Sequence, residues 1–259
     1  MINSKYLFSL SILFFLSCNQ LTPAQKSESV DERSGIPIYV TVDDETFPDY
    51  WKTDEINAKG QDLERSKVKH SISLLKEELK KYPVEVLKAN LKRVYFLKSI
   101  EFYNVEFGGT NSYDRLYFTN NGESDGYTDQ YLVQTIHHEF SSIFLRNFPD
   151  YFLQDEWEKN NKIPYGDGGV AALKSSQSSL EFDSTYNANG FLYQYANSDV
   201  ENDLNSFAEN IFAPSPEFYD LVDKYPALKN KWKLIIKFYN SIDPKFTEDY
   251  FLEFVQSKR

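Results

Sequence analysis

Residues 129–148, DQYLVQTIHHEFSSIFLRNF, constrain this chain more than any other stretch. Leu132, Ile136, Phe140 and Ile143 recur at spacings of three and four, which predicts an amphipathic helix, and Pro149 predicts its end. Two of the chain's three histidines, His137 and His138, stand side by side on that helix, with Glu139 directly after them. His138-Glu139 is the first half of H-E-x-x-H, in which histidines at i and i+4 share one helix face and hold zinc while the glutamate works beside the metal. The fifth position is Ser142. The chain therefore presents half a metal site, and its reading turns on whether a partner comes from elsewhere.

The N-terminus is read first as a targeting segment. Lys5 is followed by an apolar run over residues 7–16, and Ser17 precedes the sole cysteine, Cys18. This pattern predicts a secretory signal over residues 1–17, too short to span a bilayer as a helix. Phe15-Leu16-Ser17-Cys18 resembles a bacterial lipoprotein processing site, which implies that Cys18 becomes the lipidated first residue and that acyl chains attach the protein to the membrane. The expected place is the cell envelope, at the outer membrane of a Gram-negative bacterium. Residues 18–35 are polar, small and charged, and are expected to be a disordered tether. Residues 36–259 are expected to form the folded domain, with sheet and site helix in 36–148 and a mainly helical part in 149–259.

With Cys18 committed to lipid, no cysteine remains for a disulfide or a thiolate ligand, so stability rests on the hydrophobic core. Formal net charge is −11, and removing residues 1–17, whose only charged residue is Lys5, takes it to −12. Such a surface repels nucleic acid, which is dropped as a partner. Aromatic residues make up 17% of the chain. Most lie in apolar-periodic segments, so core packing is favoured over a sugar-stacking platform.

Along the domain, 36–42 (IPIYVTV) reads as a first strand and 61–81 as a helix stopped by Pro83. Asp43, Asp44 and Glu45 lack the ligand alternation of a calcium loop and read as a solvated turn. His70, beside Lys67 and Lys69, reads as a surface histidine. Residues 93–107 predict one or two strands, Gly108-Gly109 a turn, and 115–119 (RLYFT) another strand. Residues 150–189 look irregular and suit a cleft wall or lid. In 190–212 (GFLYQYANSDVENDLNSFAENIF), Ser198-Asp199 open a helix in which Leu204, Phe207, Ala208 and Ile211 recur helically. Glu209 falls within this rhythm, as a solvent-facing side chain or as a ligand from a neighbouring helix. Residues 217–225, 228–239 and 246–257 predict further helices with no chemistry of their own.

Taken together, HHEFSSIF and the later GFLYQYANSDVENDLNSFAENIF resemble a family of zinc-binding metallopeptidase-like lipoproteins of Bacteroidetes, of gluzincin type. The resemblance implies an α+β, zincin-like fold: a small mixed sheet, a metal-site helix and a mainly helical C-terminal subdomain. In the zincin type an edge strand precedes the metal helix and lines the cleft, a place that 115–119 would take. The resemblance also implies roles. His138 matches the first zinc ligand, Glu139 the general base and Glu209 the third ligand, while Ser142 departs from the second; His137 is the other nearby imidazole, and Tyr195 is the candidate for stabilising an oxyanion. Zinc, if held, would activate a water for amide hydrolysis of a peptide or protein. Three readings follow: a zinc-dependent peptidase with a degenerate site, a zincin-fold protein that binds peptide, protein or glycan without catalysis, or a structural lipoprotein with a chance polar patch. The distance between His138 and Glu209 discriminates among them.

Overall fold

The computed structural model describes residues 27–256, so the expected signal segment, Cys18 and the first part of the expected tether lie outside the described residues. The second part of that tether is ordered. β1 (Ser29–Val30) pairs antiparallel with β2 (Pro37–Tyr39). Asp31 is buried and accepts from the Ser34 amide at 2.9 Å, and the Arg33 guanidinium donates to the Tyr82 carbonyl at 3.1 Å. A polar composition was read as disorder, but short polar side chains here close their own turn and a neighbouring strand takes up the backbone groups.

The chain continues through β3 (Lys59–Gln61), α1 (Arg65–Leu79), α2 (Val84–Asn90), β4 (Arg93–Leu97), β5 (Ser99–Phe102), β6 (Val105–Phe107), β7 (Gly109–Asn111) and β8 (Arg115–Thr119). Five strands form a mixed sheet in the order β1-β2-β4-β8-β7, with β2, β4 and β8 parallel and β1 and β7 antiparallel at the edges. Alternation along the strands sorts the side chains onto two faces. Ile38, Val94 and Leu116 are in register, as are Phe96 and Phe118, and all face the helices. Tyr39, Tyr95 and Tyr117 stack as a ladder on the other face, with ring centroids 5.0 and 4.9 Å apart. Phe47 and Trp51, which follow the acidic turn at 43–45, close over that ladder together with the small antiparallel sheet β3-β5-β6.

The edge strand nearest the helices is β7, not 115–119, which lies inside the sheet as β8. Gly108-Gly109 was read as a turn because glycine favours turns; here the glycines permit close approach instead. A Cβ on Gly108 would collide with the Tyr131 hydroxyl, and one on Gly109 would lie 2.7 Å from Thr135 Cγ2 and 3.0 Å from Glu139 Cγ.

After β8 come α3 (Asp129–Asn147), α4 (Gln154–Glu158), α5 (Gly169–Lys174), α6 (Ser184–Ala188), α7 (Val200–Phe212), α8 (Phe218–Lys224), α9 (Pro226–Ile242) and α10 (Glu248–Gln256). The segment 150–189 thus carries three short helices. α3 is capped by Thr128, whose hydroxyl accepts from the Tyr131 amide at 3.2 Å, and Asp129 and Arg146 at its two ends complement the helix dipole. Its buried Leu132, Ile136, Phe140, Ile143 and Phe144 pack in the main core. α7 is capped by Asp199 at the Asn202 amide, 2.7 Å, and every residue from 203 to 212 is buried. Pro226 opens α9 in the first turn, where its missing N–H costs no helix bond. No helix among the described residues is long and apolar enough to cross a membrane. The architecture is α+β: a small mixed sheet, the site helix laid against it and a mainly helical second half.

Candidate functional site

A helix buried on all sides must satisfy its polar side chains internally. α7 carries Asp203, Asn205, Ser206, Glu209 and Asn210 in its buried run. The partners of Glu209 lie on α3 and in the segment before α7. Glu209 Oε2 is 2.9 Å from His138 Nδ1, and Glu209 Oε1 accepts the Tyr193 hydroxyl at 2.6 Å. The two residues whose separation the sequence left open are therefore in direct contact.

The other ring nitrogen of His138 is also engaged. Nε2 lies 3.2 Å from Asn202 Oδ1, and the Asn202 amide nitrogen donates to Ser198 Oγ at 3.0 Å and to Asp199 Oδ2 at 2.9 Å. Those two bonds orient the amide so that oxygen faces the ring. With acceptors at both nitrogens, His138 donates twice and carries a positive charge. Burial opposes that charge, but the hydrogen bond and charge of Glu209, with Glu139 close by, push the pKa up to about 9. Glu139 shows the opposite balance: burial raises its pKa, and His138 and the amide of Asn111, which donates to Oε2 at 2.8 Å, pull it back. Arg146 in turn donates to the Asn111 side-chain oxygen, so β7 and α3 are tied together at Glu139.

Tyr195 lies with its ring nearly parallel to that of His138, centroids 6.3 Å apart, and burial raises its pKa. Its hydroxyl packs at Gly169, where a Cβ would lie 2.8 Å away. It shares the cleft with the site, but the residue that holds Glu209 is Tyr193, two positions earlier. His137 does not belong to the site. It is fully buried on the neighbouring face of α3, with Nδ1 2.7 Å from the Tyr82 hydroxyl, Nε2 2.5 Å from Glu78 Oε2, and its ring stacked on Phe212. One residue is about 100° of helix rotation, enough to point adjacent histidines into different environments. His70 is exposed as expected and pairs with Asp129 at 2.7 Å.

Ser142 is sealed behind His138. Its hydroxyl accepts the Asn205 amide at 2.7 Å, and the two residues are 2% and 1% exposed. The donor set is therefore His138 and Glu209 alone, already bonded to each other, with a hydrogen-bonded hydroxyl in the i+4 place. Among the described residues no group of three or more His, Cys, Asp or Glu side chains is placed to hold a metal ion. These residues do not fit the three-ligand zinc centre that the resemblance implied.

In front of His138 opens a cleft of about 770 Å³. One wall is β7 and α3, with Gly108, Gly109, Tyr131, Thr135, His138 and Glu139; the other brings Leu180, Glu181 and Phe182 from the segment before α6, then Tyr193, Tyr195, Glu209 and Glu217. The expectation of a cleft wall in 150–189 is met by Leu173 and by Ser178, Leu180, Glu181 and Phe182. Sequence reasoning missed Asn111, Tyr193, Asn202 and Asn205. The available signal was the spacing of Asn202, Asn205 and Glu209, at i, i+3 and i+7, a polar stripe inside an apolar helix.

No family model matches the chain, and no curated protein matches it. Among solved structures, the crystal structure of a candidate zinc-binding metallo-peptidase from Bacteroides caccae is similar, with 11% identity, a TM-score of 0.46, and coverage of 71% of this chain and 76% of that one.

Proposed function

We propose that this chain is a metallopeptidase-like protein whose cleft binds an extended peptide by adding it as a strand to β7. The observation that carries this reading is the outer edge of β7 above Glu139, which pairs with no strand among the described residues. Thr119 N–H donates to the Gly108 carbonyl and Ser112 N–H to the Arg115 carbonyl, so residues 108, 110 and 112 face β8. Gly109 and Asn111 therefore turn their N–H and C=O groups outward, and Gly109 with the preceding Phe107 and Gly108 lines the cleft. An unpaired edge of this kind pairs readily with an incoming chain, and alternate side chains of that chain give specificity.

The test is direct binding of dye-labelled extended peptides of mixed sequence to the full chain, with the same peptides N-methylated at alternate residues as controls. The expected result is binding that methylation abolishes. Equal binding of both sets, or of neither, overturns the reading.

The setting we propose is the cell envelope, with the domain held at the outer membrane through lipid on Cys18. The support is the N-terminal sequence. A Cys18→Ala variant is expected to leave the detergent phase for the aqueous phase on partition, and an unchanged partition would remove the anchor.

A further inference from the structure

We infer that α3 and α7 are joined by a metal-free hydrogen-bonded clasp, standing where a zinc centre would be, and that the cleft therefore works without metal. The clasp is built from two facing stripes. His138 and Ser142, at i and i+4, form the stripe on α3; Asn202, Asn205 and Glu209, at i, i+3 and i+7, form the stripe on α7. Each group on one stripe is met on the other: His138 by Asn202 at 3.2 Å and Glu209 at 2.9 Å, Ser142 by Asn205 at 2.7 Å. The inference shares the zincin-like reading of the fold but does not depend on peptide binding.

Three features separate this clasp from a metal centre awaiting its ion. A zinc-binding imidazole offers a nitrogen lone pair, and a neutral ring has only one. Both nitrogens of His138 face acceptors, and the bonds from Asn202 to Ser198 and Asp199 hold the facing atom as oxygen. Both carboxylate oxygens of Glu209 are taken, by His138 and by Tyr193. The i+4 position holds a hydroxyl that a buried amide has already occupied. A zinc ion would tie α3 to α7 by coordination; here an ion pair and two amides perform that cross-link, and Tyr193 extends it to the opposite cleft wall.

The experiment measures zinc content and thermal midpoint of the full chain, purified without chelator and dialysed after exposure to zinc chloride, with and without EDTA. The expected result is substoichiometric zinc and a midpoint that neither zinc nor EDTA moves. A Ser142→His/Asn205→Gly/Asn202→Ala/Tyr193→Phe variant, which restores the second imidazole, makes room for it and frees His138 Nε2 and Glu209 Oε1, is expected to retain one zinc per chain and to gain a zinc-dependent midpoint. Stoichiometric zinc in the unaltered chain, lost in Glu209→Gln, overturns the inference. So does a folded quadruple variant that takes no zinc, because the stripes would then not have the geometry of a disguised centre. Peptide binding measured in the same EDTA samples is expected to persist. If no peptide binds while the zinc results hold, the strand-addition reading alone fails.

Discussion

α7 carries two buried carboxylates, Asp203 and Glu209, and their settings differ in one respect. Each is met by a cation and by aromatic donors. Asp203 Oδ2 accepts from Lys231 Nζ at 2.6 Å, the Tyr165 hydroxyl at 2.7 Å and Trp157 Nε1 at 2.8 Å. Glu209 accepts from His138 and Tyr193. The Lys231 and Asp203 side chains are 0% exposed, whereas those of His138 and Glu209 are 11% and 8% exposed and line the cleft. A buried ion pair does not by itself mark a site. The one sealed among Trp157, Phe191 and the back of α7 fixes the packing, and the one at the cleft floor is the one a ligand can reach.

The strongest way to break this comparison is to strand a charge on the sealed side. Lys231→Met leaves Asp203 buried without its cation and is expected to cost about 3–5 kcal/mol in urea unfolding, with Asp203→Leu added to the same chain recovering most of it. Peptide binding should stay intact in whichever variant folds, since neither residue touches the cleft.

A steric change comes next. Gly109→Ala places a methyl against Thr135 and Glu139 and is expected to cost about 1–3 kcal/mol by overpacking. Because the strain falls on the edge strand, binding of extended peptides should fall with it.

Raising the pH is expected to weaken the cleft-side pair. The folded pKa of His138, about 9, lies above that of a free histidine. Its contribution is therefore complete below about pH 6.5 and disappears as the pH rises through 9, on the order of 3 kcal/mol in all. Stability curves across this window should fall in the unaltered chain and flatten in Glu209→Gln, which removes the charge that raises the pKa.

At fixed neutral pH, Glu209→Gln itself should cost about 2–3 kcal/mol, because it removes most of the same charge stabilisation, and less than Lys231→Met, because an amide still offers an acceptor and the site meets solvent. The smallest effect is expected for Tyr195→Phe, within about 0.5 kcal/mol of the unaltered chain. A larger loss would show that Tyr195, rather than Tyr193, braces the clasp.

Much of the site helix was legible in advance. Apolar spacing located α3 and α7 and the three C-terminal helices, whereas the pairing of His138 with Glu209 was implied only by the family resemblance, the residues themselves leaving Glu209 as a solvent-facing side chain or a ligand. The edge strand was not legible. Gly108-Gly109 has the composition of a turn, and only the nearness of Tyr131, Thr135 and Glu139 shows that the glycines serve close packing. Residues 29–35 misled for a related reason, since composition counts what a segment can bury and not which neighbour pairs with its backbone.

The sequence by itself determined the longer helices, the apolar strands in 93–107 and 115–119 and the absence of a second histidine at 142, because periodicity and residue type are local properties. Tertiary structure alone decided that His137 turns into the core, that Asn202 and Asn205 face His138 and Ser142, and that Tyr193 holds Glu209. These are contacts between groups 16 to 71 residues apart in the chain. A hydrogen bond depends on distance and orientation in space, and neither is written in the spacing of residues along one helix.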